Sequence, residues 1–486
     1  MNRKMIFHTI GIILLVEAGL MLLPLIVSII YSDGKHLAFI IPAITLFVCG
    51  FLLMYLVKPK RKEFGSKEGL LTVGLSWIMM SFFGSLPYMI SKEIPNFINA
   101  LFETVSGFTT TGASILFTDE YPLMSKSIMF YRSFTHFVGG MGVLVFVLAI
   151  LPQSNGKNLY ILKAESSGPQ VGKLVSKIKV TAMILYLMYI IFTLIEITLL
   201  AISPSMNLYE AIVYSFSTAG TGGFTLYSDS CASFSSYCQI VMTVFMALFG
   251  VNFNLYYLII IGKLSKAIKS EELRVYFITL VVSSILISLN VFYQGGMYDR
   301  YDVALKDSFF QTVSYMTSTG FANAANNTWP TFSKFYLITL MYFGACAGST
   351  GGGLKVSRII IAFKSAKCSL KKLVHPKAIE RVRLDGAAIG EDVEKGVLSY
   401  IMTIFILVFV STVIIALDGN TIETSFSTVS SCINNIGLAF GRVGEEGTFG
   451  FYSPLSKVVL TFLMLIGRLE LYPVLILFNY KAWQNK

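Results

Sequence analysis

Charge is what this sequence has least of. Only 13% of its 486 residues are Asp, Glu, Lys or Arg, against 55% hydrophobic, whereas a soluble domain carries roughly 25% charged residues. Mean hydropathy is +0.69. A soluble globular chain is thereby excluded. Histidine is scarce as well: His8, His36, His136 and His375 share no spacing, so they assemble no metal cluster and no catalytic triad and read as structural or surface residues. The six cysteines lack the paired spacing of zinc ligands. Cys231 and Cys238 share an outer loop and are compatible with a disulfide on an oxidising face or with two free thiols. Inside the apolar runs Glu17, Arg468 and Glu470 stand out as charged, too few for a membrane-embedded enzyme, and no enzymatic activity is expected.

What replaces the charge is a series of long apolar runs. Met5–Tyr31, Leu37–Val57, Gly69–Ile90, Val180–Ile202, Val275–Leu289, Gly396–Leu417 and Lys457–Phe478 are the plainest, and glycine interrupts several others. A span needs about 20 apolar residues, which leads us to expect about ten. The first run is longer than the roughly 7–15 residues of a signal h-region and no small-x-small site follows it, so it reads as a retained helix. Glu17 within it must face protein or water. The net charge of +11 follows topology. Basic clusters at 58–67, 157–177, 263–274 and 364–395 occupy alternate connections, while the opposite ones hold only scattered cations such as Lys35, Lys92, Lys126, Arg132 and Lys334. The positive-inside bias places the clusters and both termini in the cytoplasm of a multi-pass protein. No nucleic-acid partner is needed.

Internal repetition decides the class. Four segments align on Gly112, Gly223, Gly320 and Gly437: TVSGFTTTGA (104–113), SFSTAGTGGF (215–224), TVSYMTSTGF (312–321) and VSSCINNIGL (429–438). Serine stands six residues before each glycine, at Ser106, Ser217, Ser314 and Ser431, and a short polar residue two before it, at Thr110, Thr221, Ser318 and Asn435. Each unit runs from an apolar span to an acid opening a short segment (Glu103, Glu210, Asp307, Glu423), then the Ser/Thr/Gly stretch, then a span carrying glycine (Gly139–Gly140, Gly250, Gly344, Gly467). For Gly139, Gly140, Gly142 and Gly250, close helix packing is the better reading. The short segment cannot cross a bilayer, so it must enter and return, which irregular backbone tolerates only around a water-filled path.

The chemistry of that stretch suits a monovalent cation. Inward carbonyls replace water without fixed charge, glycine accepts positive φ and keeps the backbone near the ion, and the preceding helix aims its negative end at the path. No carboxylate ring stands at Thr110, Thr221, Ser318 and Asn435, which argues against a divalent-selective filter. The candidate ion-binding residues, with potassium as the bound metal, are Thr110, Thr111, Gly112, Thr221, Gly222, Gly223, Ser318, Thr319, Gly320, Asn435, Ile436 and Gly437. GSTGGGLK (348–355) superficially suggests a P-loop, but Leu354 separates Gly353 from Lys355 and Val356 stands where Ser or Thr should follow. Its glycines break a helix and read as a flexible plug. Arg468 is costly within a span, and Glu470, two residues on, does not share its helical face.

ETVSGFTTTGAS (103–114), FVGGMGVLVFVLAILP (137–152), SYMTSTGFA (314–322), GACAGSTGGGLKVSR (344–358) and LMLIGRLELYPVLILF (463–478) resemble the Trk/Ktr/HKT superfamily of potassium uptake proteins, nearest to its TrkH branch. The resemblance covers essentially the whole chain. It implies an all-α integral membrane protein of the bacterial cytoplasmic (inner) membrane, with four pseudo-symmetric helix–pore helix–helix repeats around a central pore and an N-terminal two-helix hairpin. The expected division is 1–62 for the hairpin and 63–156, 175–268, 272–366 and 394–486 for the repeats. It further implies potassium-selective uptake, potassium being the transported ion with no other cofactor. Gly348, Ser349, Thr350, Gly351, Gly352 and Gly353 would form an intramembrane gate with Arg468, which projects into the path as a barrier or else fixes the fourth repeat to its neighbour. A cytoplasmic nucleotide-binding regulatory subunit of the TrkA/KtrA type, membrane lipid and a second copy in a homodimer are the implied partners. NNIGL departs most from the other three stretches. The rival class is a secondary carrier coupling sodium or protons to substrate uptake, which predicts inverted halves and not four like-oriented units.

Overall fold

The computed structural model describes residues 2–59, 66–140, 142, 178–294, 296–376 and 380–483. The expected boundary between 62 and 63, the end of the first repeat at 156 and the start of the second at 175 fall outside them, as does the basic cluster at 157–177. Helix dominates. The chain opens with α1 (Arg3–Leu20), α2 (Leu22–Tyr31) and α3 (His36–Leu56). Gly11 and Gly50 let α1 and α3 cross closely, since a Cβ on either would sit within 2.9 Å of the other's carbonyl oxygen. α3 leaves Leu37, Ile41, Ile44, Phe47, Phe51 and Tyr55 exposed, an apolar face suited to lipid.

Four successions of like construction follow. The first is α4 (Ser66–Gly84), α5 (Phe97–Phe108) and α6 (Lys126–Gly140). The second is α7 (Ile178–Ala201), α8 (Leu208–Gly220) and α9 (Ser236–Phe249), continued by α10 (Phe253–Ile260). The third is α11 (Glu271–Tyr293), α12 (Tyr301–Met316) and α13 (Thr331–Phe343), continued past a glycine-rich loop by α14 (Val356–Val374). The fourth is α15 (Glu391–Ile415), α16 (Ile422–Ile433) and α17 (Pro454–Leu469). A small antiparallel hairpin, Arg383–Leu384 with Ala387–Ala388, lies between α14 and α15.

The second helix of each succession has 12, 13, 16 or 12 residues, which at about 1.5 Å per residue cannot cross a core of about 30 Å. Three of the four starts are set by side-chain caps: Asn96 accepts from the Ile98 and Asn99 amides, Asn207 forms a capping box with Glu210, and Thr421 accepts from the Thr424 amide. Only two of the four acids open their helix. Glu210 and Glu423 lie in the first turn, whereas Glu103 and Asp307 sit mid-helix, where they bond to the loop that follows.

About ten spans were expected, several of them interrupted by glycine. Among the described residues six helices are long and apolar enough to cross a membrane, or seven if α9 and α10, bent by 88°, count as one. The closing helices of the last three successions break at or just past their glycine: Gly250 caps α9, Gly344 (φ 67°) caps α13, and α17 ends two residues after Gly467. In the first, second and fourth successions the closing helix meets the end of a short one near its glycine, while Gly344 packs on Gly352 and Gly353 of the loop that follows. A Cβ on Gly139 or Gly467 would strike the carbonyl of Phe108 or Ile433, and one on Gly250 would come within 2.9 Å of Thr317. The packing reading of these glycines is thereby given its partner.

Candidate ion-conduction site

Each short helix ends in the same way. The amides of Thr110, Thr221, Ser318 and Asn435 donate to the carbonyl three residues back, at 2.9–3.3 Å, and those of Thr111, Gly222, Thr319 and Ile436 to the carbonyl five back, at 2.8–3.0 Å. That is a Schellman turn, which requires a left-handed residue. Thr110, Thr221, Ser318 and Asn435 supply it, with φ of 54°, 53°, 57° and 55°. Two residues on, Gly112, Gly223, Gly320 and Gly437 return to positive φ, at 76°, 78°, 78° and 84°. Among the described residues nothing donates a hydrogen bond to the carbonyls between these points. Carbonyls so placed have the chemistry to replace a cation's water.

The four turns form a closed ring. A Cβ added to Gly112 would strike the carbonyl oxygen of Gly222, on Gly223 that of Thr319, on Gly320 that of Ile436, and on Gly437 that of Thr111. Each glycine thus abuts the carbonyl preceding the glycine of the next stretch, and the fourth returns to the first. All twelve candidate ion-binding residues are brought together. Lateral bonds join the outer ends in the same order: Phe224 N to His136 Nε2 at 3.3 Å, Cys231 N to Ala322 O at 2.8 Å, Gly441 N to Asn327 Oδ1 at 2.8 Å and Phe449 N to Ser114 O at 2.8 Å.

The loop from Gly344 to Lys355 lies against the inner side of the third and fourth turns. Gly352 N donates to Ser318 Oγ at 2.5 Å, and a Cβ on Gly351 would come within 2.8 Å of Thr317 O. Glu272 at the start of α11 fixes both ends of this loop, accepting from Ala347 N at 2.7 Å and Ser357 N at 3.2 Å. Lys355 Nζ turns back onto the Gly351 carbonyl. Arg468 donates to Thr350 O at 2.7 Å and to Gly139 O and Gly140 O at 2.5 and 2.6 Å. One guanidinium so joins α17 to the loop and to the end of α6. Glu470 lies just past the end of α17, at φ 60°, and pairs with Arg358 at 2.6 Å.

Residues 35–486 match the TrkH family model, described as a cation transport protein. The chain belongs to the TrkH family. Its TrkH-family relatives include the Trk system potassium uptake protein TrkG of Escherichia coli, 32% identical over 99% of both chains, and TrkH of Salmonella typhimurium, 33% identical over 100% of both. The crystal structure of the potassium transporter TrkH from Vibrio parahaemolyticus superposes with a TM-score of 0.89 at 29% identity, covering 100% of both chains. The TrkH fold carries an all-α, multi-pass membrane protein, in agreement with the apolar runs.

Three side chains around the TrkH-family site were not singled out for it from the sequence. Arg132 was counted among outer-loop cations but is buried in α6 and paired with Glu103 at 2.8 Å. His136, one turn further on, contacts Gly107 O through Nδ1 at 2.8 Å and accepts from Phe224 N. Glu196, inside α7, is a fully buried acid that the apolar run conceals. Cys231 and Cys238 are buried with both thiols free.

Proposed function

We propose that the protein takes up potassium across the bacterial cytoplasmic membrane through the ring at Gly112, Gly223, Gly320 and Gly437, with both termini cytoplasmic. The observation that carries this reading is the cyclic contact of each glycine with the carbonyl before the next, with the intervening carbonyls of all four stretches receiving no hydrogen bond among the described residues. Potassium is the ion in the printed names of the relatives. The domain division proposed is a hairpin at 1–62 and pore repeats at 63–156, 175–268, 272–366 and 394–486.

The gate in this reading is the loop segment 348–353 with Arg468. The loop occupies the side of the ring towards the basic clusters, and the guanidinium holds it by the Thr350 carbonyl. Loop and arginine obstruct the ion together, one sterically and one by charge. Control comes from a cytoplasmic nucleotide-binding regulatory subunit, and the working unit is a homodimer in lipid.

The test is rubidium and sodium uptake into proteoliposomes, wild type beside Gly320→Ser. A side chain at φ 78° facing the Ile436 carbonyl must displace that oxygen. We expect rubidium flux blocked by excess potassium in the wild type and relaxed selectivity in the variant. Clear uptake with unchanged selectivity in Gly320→Ser would remove the ring from the path.

A further inference from the structure

We propose that Glu103 and Arg132 are positioning residues that set the selectivity of the first stretch, in the role a serine hydroxyl has in the second and third. The inference rests on the ring being the filter. Ser217 Oγ donates to Phe224 O at 2.8 Å and Ser314 Oγ to Phe321 O at 2.7 Å, so each hydroxyl ties its helix to the carbonyl just past the glycine. In the fourth stretch the matching Ser431 hydroxyl has no partner among the described residues, and Ser427, one turn earlier, bonds instead to Phe440, three residues past Gly437, donating to its carbonyl at 3.3 Å and accepting from its amide at 3.0 Å. The first stretch has the matching Ser106, but its hydroxyl has no partner among the described residues. An ion pair stands there instead.

Glu103 accepts from Arg132 Nε at 2.8 Å, Ser114 Oγ at 3.0 Å and the Ile115 amide at 2.9 Å. The two residues after Ala113 are thus held by a carboxylate from the middle of α5. Arg132 adds Nη2 to Ser114 Oγ at 2.9 Å and Nη1 to Thr225 O at 3.2 Å, and lies 4.3 Å over the Phe224 ring. Ser114 O in turn receives Phe449 N. One pair therefore fixes the outer ends of the first, second and fourth stretches relative to each other. The pair is 0% and 1% exposed, and a buried pair persists only where further hydrogen bonds satisfy it. Its charge is cancelled within the protein, so Glu103 is no vestibule attractor for cations. What it controls is where the Gly112 backbone sits.

The experiment reads the rubidium-to-sodium uptake ratio in proteoliposomes, with thermal melting as the check of folding. Glu103→Gln keeps the shape and removes the charged acceptor; we expect a ratio lowered about tenfold, the scale of one charge-assisted hydrogen bond. Ser314→Ala is expected to lower the ratio about threefold, as an ordinary hydrogen bond would, while Ser106→Ala leaves it unchanged. A residue with a merely structural role would lower the melting temperature and leave the ratio alone. Should Glu103→Gln fail to fold, Ser114→Ala, which leaves the pair intact but removes the hydroxyl both partners use, carries the test with an expected loss of about threefold. An unchanged ratio in the folded variant, or a Ser106→Ala loss matching that of Ser314→Ala, overturns the proposal. Gly320→Ser separates the two readings. If it relaxes selectivity and Glu103→Gln does not, the brace alone is wrong; if neither does, the filter reading falls and the brace with it.

Discussion

Thr110, Thr221, Ser318 and Asn435 hold left-handed backbone, which costs an L-residue of order 1–3 kcal/mol unless its surroundings over-determine it. Asn435 has the strongest surroundings. Its Nδ2 donates to Thr111 Oγ1 and to Met464 O, both at 2.9 Å, so the departure NNIGL ties α17 to the first stretch. Asn435→Thr restores the residue type of the first two stretches and loses both donors. We expect a destabilisation of about 1–3 kcal/mol, read as a lower melting temperature, whereas an unaltered melt would make the amide dispensable. Arg468 satisfies three carbonyls, those of Thr350, Gly139 and Gly140. Arg468→Ala should therefore release the loop and raise rubidium uptake severalfold in protein reconstituted without a partner. A fall in uptake accompanied by a lower melting temperature would assign the arginine to the fold and not to the gate.

Among the elements, the four short helices were legible because their ends carry a pattern that periodicity alone cannot produce: serine, a short polar residue and glycine at constant spacing. Their starts were less so. The sequence suggested an acid at each, yet Glu103 is nine residues from its glycine where Glu210 and Asp307 are thirteen and Glu423 fourteen. That shorter spacing carries Glu103 past the helix start to where it reaches Ile115. Arg132 was misplaced for a related reason, since its partner is 29 residues away and nothing local marks it as buried. The break at Gly250 was hidden too, because it answers to contacts with Tyr276 and Thr317 on other helices, whereas the glycines after Gly344 announce theirs. Between elements, the turn after α2 is held to α6 by Asp33, which accepts from Ser127 N at 3.0 Å and Ser28 Oγ at 2.5 Å. Burial alone would raise the Asp33 carboxyl, but the bonds from Ser127 and Ser28 outweigh it and keep it below its ordinary value. A group depressed on folding stabilises the fold above its unfolded pKa and loses that effect as pH falls through the folded one. Asp33→Asn should therefore melt below wild type at neutral pH, with the gap closing under 3.8; a gap independent of pH would mean the carboxylate charge is not what holds the hairpin.

For the molecule as a whole, the question is how a partner on the basic face could reach a ring buried in the membrane. The loop against the ring ends at Lys355, and α14 begins at the next residue. α14 runs from Val356, whose amide donates to Ala345 O at 3.1 Å, through Arg358, anchored to Glu470, to an end where Lys367, Lys371 and Lys372 are exposed. A helix transmits displacement along its axis, so a force on its exposed end acts on the loop without crossing a flexible joint. Exposed lysines also favour an acidic partner surface at modest ionic strength. Replacing Lys367 and Lys372 with Gln should leave uptake by the protein alone unchanged and reduce the stimulation given by a purified nucleotide-binding regulator. The loss should be largest at low salt, because screening already weakens such contacts at high salt. The measurement is rubidium uptake with and without regulator, for both proteins, across a salt series. Stimulation that survives the double substitution at every salt concentration would move the docking surface elsewhere. A nucleotide response in this chain alone would remove the need for a separate regulator, although no described part of this chain resembles a nucleotide-binding domain.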